Sequence, residues 1–349
     1  MHFIGHEGRM RPILAASALI TALALSVGGA HAQDKTQDKT YVIKVGTPTV
    51  NDTPEEFTRG FKEMVEKESG GRLKVEIYSA SKLGSIPREI EGMQFGSIEC
   101  GIFPPEFFVG IDERFEVLAT PGMVDSLAHG QKLVGQPEVM KMMLGLGADK
   151  GLHGIGLYMA LPSVLSSRTP IRTLADLKGK KIRVFASKFQ TAAFETLGAT
   201  PIAMSTGDVL PALQQGAIDG AISGITVFNA MHFQDAAKYV TEINQPPIFL
   251  MIEVSKKWFD ALPKDLQAII DKAGAAESVA INPYAAALEQ RARKAWLDSG
   301  GELISLPKNE QADMMKMLEG VGENIAKTKP QLYEAYKVVN AAAERVRQP

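Results

Sequence analysis

The sequence predicts a two-lobed α/β protein, on three observations. Strand and helix periodicities alternate from Tyr41, the alternation restarts near Gly151, and an apolar run at 246–254, PPIFLMIEV, is placed to carry the chain back to the first sheet. In the first unit, YVIKVGT has the β-branched alternation of a strand. Thr53-Pro54-Glu55-Glu56 reads as an N-cap, an N1 proline and an acidic first turn, after which Phe57, Phe61, Met64 and Val65 recur at helical spacing. Gly70-Gly71 ends that helix; RLKVEIY is a second strand, Ile86 to Phe95 a second helix, and Ile98 to Phe103 a third strand. Repeats of this kind imply a mainly parallel sheet with its sites at the carboxyl ends of the strands.

In the second unit, GLHGIGLYMA reads as a strand leaving the first lobe. Leu174 to Leu177 with Lys178-Gly179 make a short helix and turn before the strand Lys181 to Phe185, and a helix from Lys188 to Leu197 ends at Gly198 as a left-handed cap. A strand (Thr200 to Met204), a helix (Gly207 to Gln215) and a strand (Ala217 to Ile222) complete the unit. Two such units joined by two strand-like crossings form the layout of a hinged receptor whose cleft closes on a ligand. After Leu262-Pro263 a helical segment runs from Lys264 to about Ser299; Pro283 kinks or breaks it, and Gln311 to Arg347 is helical and amphipathic. The expected organisation is lobe I over 33–158 plus about 246–263, lobe II over 159–245, and 264–349 as the interlobe helix and C-terminal helices packing on both.

Residues 1–32 read as an export signal: Arg9 and Arg11, the apolar run Pro12 to Val27, and a cleavage site at Ala30-His31-Ala32. No cysteine follows the run to carry a lipid, and no later apolar stretch is long enough to span a bilayer, so a soluble chain outside the cytoplasm is expected. Losing Arg9, Arg11 and Glu7 leaves 36 Lys+Arg against 39 Asp+Glu, a net charge of −3, which argues against nucleic acid or an anionic membrane as partner. Cys100 is the only cysteine, so no intramolecular disulfide forms and stability rests on core packing.

No catalytic or cofactor signature is present. Ser223 in Gly220-Ala221-Ile222-Ser223-Gly224 stands one place late for a nucleophile elbow, and His129, His153 and His232 are scattered singly rather than grouped for a metal. Arg183 is the one residue whose placement points to chemistry. Between Ile182 and Val184 on a strand, it faces the side opposite to them. A buried guanidinium is costly without an anion, so it is either paired internally or kept for a ligand carboxylate, which its planar fork suits. The residues alone leave both readings open.

The run Asp176-Leu177-Lys178-Gly179-x-Lys181-Ile182-Arg183-Val184, then Leu197-Gly198-Ala199-x-Pro201-x-x-Met204, then Ala212-Leu213-Gln214-x-Gly216-x-x-Asp219-Gly220, closely resembles the DctP-type periplasmic solute-binding proteins of TRAP transporters. Gly70-Gly71-Arg72, Gly96-Ser97-Ile98-Glu99 and Trp258 with Leu262-Pro263 extend the resemblance over nearly the whole chain beyond the signal. It implies a periplasmic-binding-protein (Venus-flytrap) fold of two α/β lobes, two crossing strands and a long kinked helix spanning both. It also implies a monomeric, non-enzymatic carrier without cofactor or metal, which holds an organic acid by its carboxylate at Arg183 and delivers it to the TRAP membrane permease. A ligand-presenting receptor for a membrane sensor kinase is the alternative.

Departures from the family pattern bear on the ligand. Many members carry a second arginine where this chain reads Ala160-Leu161-Pro162-Ser163, and Ile222-Ser223 replaces a common Glu-Asn. Carried over by position, the pocket is Thr47, Ser85, Pro104, Ser163, Arg183, Thr206 and Ser223, with Arg168 as a candidate second cation. One cation among small hydroxyls and prolines leads to the expectation of a monocarboxylate or a bulkier acid rather than a short dicarboxylate.

Overall fold

A computed structural model describes residues 39–243 and 246–347, so the export segment lies outside the described residues. The strands of the first unit are β1 (Tyr41–Gly46), β2 (Leu73–Tyr78), β3 (Cys100–Phe103) and β4 (Leu152–Pro162). Those that follow are β5 (Val164–Ser167), β6 (Lys181–Val184), β7 (Thr200–Ala203), β8 (Gly220–Ser223), β9 (Tyr239–Glu242), β10 (Pro247–Ser255) and β11 (Glu302–Ser305). They form two sheets, β2-β1-β3-β10-β4 and β11-β9-β5-β8-β6-β7, and these are the centres of two lobes.

Neither sheet is as uniformly parallel as the βαβ repeats implied. β1 pairs in parallel with β2 and β3, but β10 is antiparallel to both β3 and β4; in the second sheet β5 is antiparallel to β8 and β9. The antiparallel members are the strands that pass the chain between lobes, and a strand re-entering a sheet from the other lobe arrives from the opposite end. β4 runs on through Pro162 inside the first sheet, so only Ser163 separates it from β5 in the second. β10 is buried along its whole length, as a strand between two neighbours and under helices on both faces must be, which explains the unbroken apolar run. The short strands β5, β9 and β11 lack an apolar alternation long enough to mark them in sequence; β11 adds a second-sheet edge from within the mainly helical C-terminal region.

The first helix, Thr53–Glu68, is capped by Asp52, one residue earlier than the Thr-Pro-Glu-Glu pattern implied: Asp52 Oδ1 accepts from Thr53 N at 2.8 Å. The helix Lys188–Thr196 does end before a left-handed Gly198, at φ +83°. Pro283 acts as a kink rather than a full break. Helices Lys264–Ala280 and Asn282–Asp298 are joined through Ile281, which keeps right-handed helical angles (φ −68°, ψ −22°). Leu266, Ile270 and Ala273 of the first half pack with Ile43, Phe57 and Ile252 in the first lobe, whereas Ala292 and Trp296 of the second half pack with Val164, Leu213 and Phe228 in the second. The two halves thus belong to different cores.

Two acids are sealed in the first lobe. Glu89, on the helix Ile86–Phe95, is fully buried with no hydrogen-bond partner for either oxygen, and burial raises its carboxyl to about 8. It fits only because residue 46 is glycine, since a Cβ there would stand 1.7 Å from Glu89 Oε2. Glu253 on β10 is equally buried and unpartnered, and burial holds it well above the ordinary carboxylate range. An acid that keeps its proton when folded and loses it when unfolded stabilises the fold less as pH rises from its unfolded value toward its folded one. For Glu89 that window is 4.5 to about 8. Thermal unfolding is therefore expected to move to lower temperature between pH 5 and pH 8, and Glu89→Gln to flatten the slope; a pH series of melting curves on both proteins checks this.

Candidate functional site

Arg183 lies on β6 with Ile182 and Val184 turned into an apolar cluster that includes Phe194 and Ile222. Its own side chain is only 1% exposed. Nε donates to Met204 O at 2.9 Å, Nη1 to Ile222 O at 3.1 Å and Nη2 to Thr206 Oγ1 at 3.4 Å, and Cζ sits 4.5 Å from the centre of the Phe185 ring. These contacts tie the carboxyl ends of β6, β7 and β8 together around one cation. A guanidinium has five N–H groups and three are engaged, which leaves two for an anion.

Among the described residues no carboxylate lies within ion-pair distance of Arg183. Two acids act on it from beyond that distance: Glu106, from the turn Pro105–Phe108 of the first lobe, and, more weakly, Asp208 in the first turn of the helix Thr206–Gln214. Burial raises Glu106 to about 8, Glu116 pushes the same way, and the pull of Arg183 does not offset them. Glu106 Oε1 accepts from Gln190 Nε2 at 3.0 Å and its other oxygen has no partner. At neutral pH it is mainly a neutral acid and does not compensate the cation. Burial lowers Arg183 itself, to about 9, which still leaves it charged.

Beside the guanidinium a cavity of about 40 Å³ opens between the lobes. Its walls come from the carboxyl ends of strands, as expected for an α/β sheet: Pro48 to Pro54 after β1, Pro104 after β3, Phe185 after β6, and Ser223-Gly224 at the end of β8. Thr206 and Thr226 add hydroxyls from the second lobe. The volume expected from small lining side chains is absent, because Phe185, Leu161, Ile248 and Leu250 fill it. The space matches roughly three water-sized spheres.

Of the residues carried over by position, Pro104, Thr206 and Ser223 line this cavity, and Arg183 stands directly behind Thr206 and Phe185. Thr47 is buried beside it, but its hydroxyl donates to Thr49 O at 3.1 Å. Ser163 is buried at the crossing from β4 to β5 with no partner for its hydroxyl, and it does not line the cavity. Two positions need correction. Ser85 is exposed at the start of the helix Ile86–Phe95 and forms no part of the cavity wall. Arg168 lies at the wrong end of its strand: the register Val164↔Ser223 and Ser167↔Gly220 puts Val164 at the cleft and Arg168 past the opposite end, exposed and bonded through its N–H to Asp219 O at 2.9 Å. It supplies no second cation.

Sequence reasoning missed Phe185, Glu106, Asp52 and Thr226. Strand alternation places 185 on the same side as 183, so Phe185 carried a usable signal. Asp52, not the Thr53 that the sequence pattern pointed to, caps the first helix, and it is also in the cavity wall, 4% exposed. Burial raises its carboxyl, against the Thr53 N–H and the Thr226 and Thr49 hydroxyls that favour the ionised form.

The family model for DctP, described as bacterial extracellular solute-binding protein, family 7, matches residues 45–329. The chain belongs to this family. A family 7 relative, the C4-dicarboxylate-binding periplasmic protein DctP of Rhodobacter capsulatus, is 28% identical over 323 residues, covering 90% of this chain and 94% of its own. Among solved structures, the sugar acid binding protein of Advenella mimigardefordensis with galactonate superimposes with a TM-score of 0.83 at 23% identity, over 88% of this chain and 99% of that one. A TRAP periplasmic solute-binding protein of Shewanella oneidensis with succinate gives 0.79 at 24% identity, over 86% and 99%. The two-lobe fold of family 7 is therefore shared throughout. Among the described residues of this member, no group of three or more His, Cys, Asp or Glu is placed to hold a metal ion, and no helix is long and apolar enough to cross a membrane.

The state of Glu106 is testable without a ligand. Glu106→Gln keeps the acceptor for Gln190 and is expected to cost less than about 1 kcal/mol in denaturant unfolding, against the roughly 3–5 kcal/mol that follows when one partner of a buried ion pair is removed.

Proposed function

We propose that this family 7 protein is a periplasmic, non-enzymatic receptor that takes up a small organic acid between its lobes, with Arg183 receiving the carboxylate. Its N-terminal segment directs export, and the ligand-closed form is what a TRAP membrane permease recognises. The observation that carries the reading is a fully buried guanidinium with no carboxylate within ion-pair distance among the described residues, tied to the wall of an interlobe cavity. Burying such a charge has a physical rationale when an incoming anion completes its coordination, and the two free N–H groups are the number a carboxylate accepts.

A single cation beside a cavity of about 40 Å³ favours a compact monocarboxylate over either a dicarboxylate or a bulky acid. The relatives that bind C4-dicarboxylates, galactonate and succinate share the family and fold; the walls here are this chain's own. Closure follows from contacts the ligand makes in the closed state and lacks in the open one. Micromolar binding requires about −8 kcal/mol, within reach of one buried bidentate pair with apolar contact.

Calorimetry with lactate, pyruvate, butyrate and succinate tests the anchor. Arg183→Ala and Arg183→Lys are each expected to weaken the tightest of these acids by about 30-fold or more, the loss that follows truncation of a buried charge pair. Unchanged affinity in both variants would remove Arg183 from the site. Native mass spectrometry of the protein as purified is expected to show a bound mass small enough for a compact monoacid.

A further inference from the structure

We propose that Asp52 determines the ligand class: it admits a monocarboxylate that carries a hydroxyl or amino group and turns away a second carboxylate. The inference rests on Arg183 as the carboxylate anchor and adds the other wall of the cavity. Arg183 belongs to the second lobe, behind Thr206 and Phe185, and Asp52 to the first, so the guanidinium and the carboxyl stand on opposite sides of the cavity.

Asp52 is 4% exposed, and neither of its oxygens is saturated. Oδ1 accepts from Thr53 N at 2.8 Å and Oδ2 from Thr49 Oγ1 at 3.2 Å, which leaves a second lone pair on each. Among the described residues no cation lies within ion-pair distance of it. A second feature meets it from the opposite lobe. Thr226 lines the same cavity at 3% exposure; its buried hydroxyl is close enough to the Asp52 carboxyl to favour the ionised form, yet it makes no well-formed hydrogen bond.

Unmet polar capacity on both walls fixes what fits between them. A ligand hydroxyl donates to Asp52 and accepts from Thr226, and a ligand ammonium donates to both oxygens. An alkyl end satisfies neither wall, and sites built for a donor reject the analogue that lacks it more strongly than apolar pockets discriminate by size. A second carboxylate set against Asp52 brings like charges together where water is scarce, a repulsive element that acts alongside the missing second arginine.

Calorimetry at pH 7.5 with lactate, 3-hydroxybutyrate and 4-aminobutyrate against propionate, butyrate and succinate reads this directly. The wild type is expected to bind at least one donor-bearing acid about tenfold or more tighter than its unsubstituted counterpart, and succinate below detection. Asp52→Asn keeps the cap acceptor, and is expected to shrink that preference to under about threefold and to allow succinate to bind. Should Asp52→Asn fail to fold, Thr226→Val leaves the helix cap intact and is expected to reduce the same preference. Equal affinity for substituted and unsubstituted acids, tight succinate binding by the wild type, an unaltered profile in a folded Asp52→Asn, or no binding of any of these acids each overturns the inference. Arg183→Lys separates the two levels: if it still abolishes binding while Asp52→Asn changes nothing, the anchor stands and the role of Asp52 falls. If Arg183→Lys changes nothing, the anchor itself has failed.

Discussion

A cation buried among neutral oxygens governs this molecule. Arg183 is held by two backbone carbonyls and a threonine hydroxyl, so its hydrogen-bonding geometry is largely met while its charge is not. Glu106, the acid best placed to compensate, is deprived of its own charge by the same desolvation. The ends of β6, β7 and β8 converge on the guanidinium, and the cavity walls are built outward from that convergence.

The lobes meet through polar contacts that surround this centre. Gln190 reaches Glu106 across the interface, and the N–H of Lys188, at the start of a helix, donates to Glu116 Oε2 at 2.6 Å. The rings of Phe107 and Phe185 lie 5.8 Å apart between the same two segments. The loop that follows the Arg183 strand is therefore part of the first lobe's surface as much as of the second, and Arg183 is coupled to lobe position through only a few residues.

Much of this architecture was legible in the chain, and for physical reasons. Helix Ile86–Phe95 and the turn Leu174–Leu177 have caps and apolar spacing strong enough to fix their limits, and Pro283 announced the kink. The short strands β5, β9 and β11 were not legible, because their place is set by neighbours distant in sequence. At the site, Arg183, Pro104, Thr206 and Ser223 could be placed by motif and position. Ser85 and Arg168 were misplaced because a position along a strand or a loop does not say which end of the sheet faces the cleft. Asp52 was passed over because the capping pattern was read one residue later, at Thr53, and only the fold reveals that the cap lies beside the Arg183 strand.

The kinked helix between Lys264 and Asp298 carries a consequence of a different kind. Pro283 has no N–H to offer the carbonyl of Val279, so the rod is weakest at the point where it passes from one core to the other. Substitutions near Ile281 can bias the angle between the lobes without touching a ligand atom, and a receptor whose affinity includes the free energy of closing changes its apparent affinity when that angle is biased. Recognition and sensitivity are thereby written in separate parts of the chain, and selection can retune how much ligand is needed while leaving untouched which ligand is chosen.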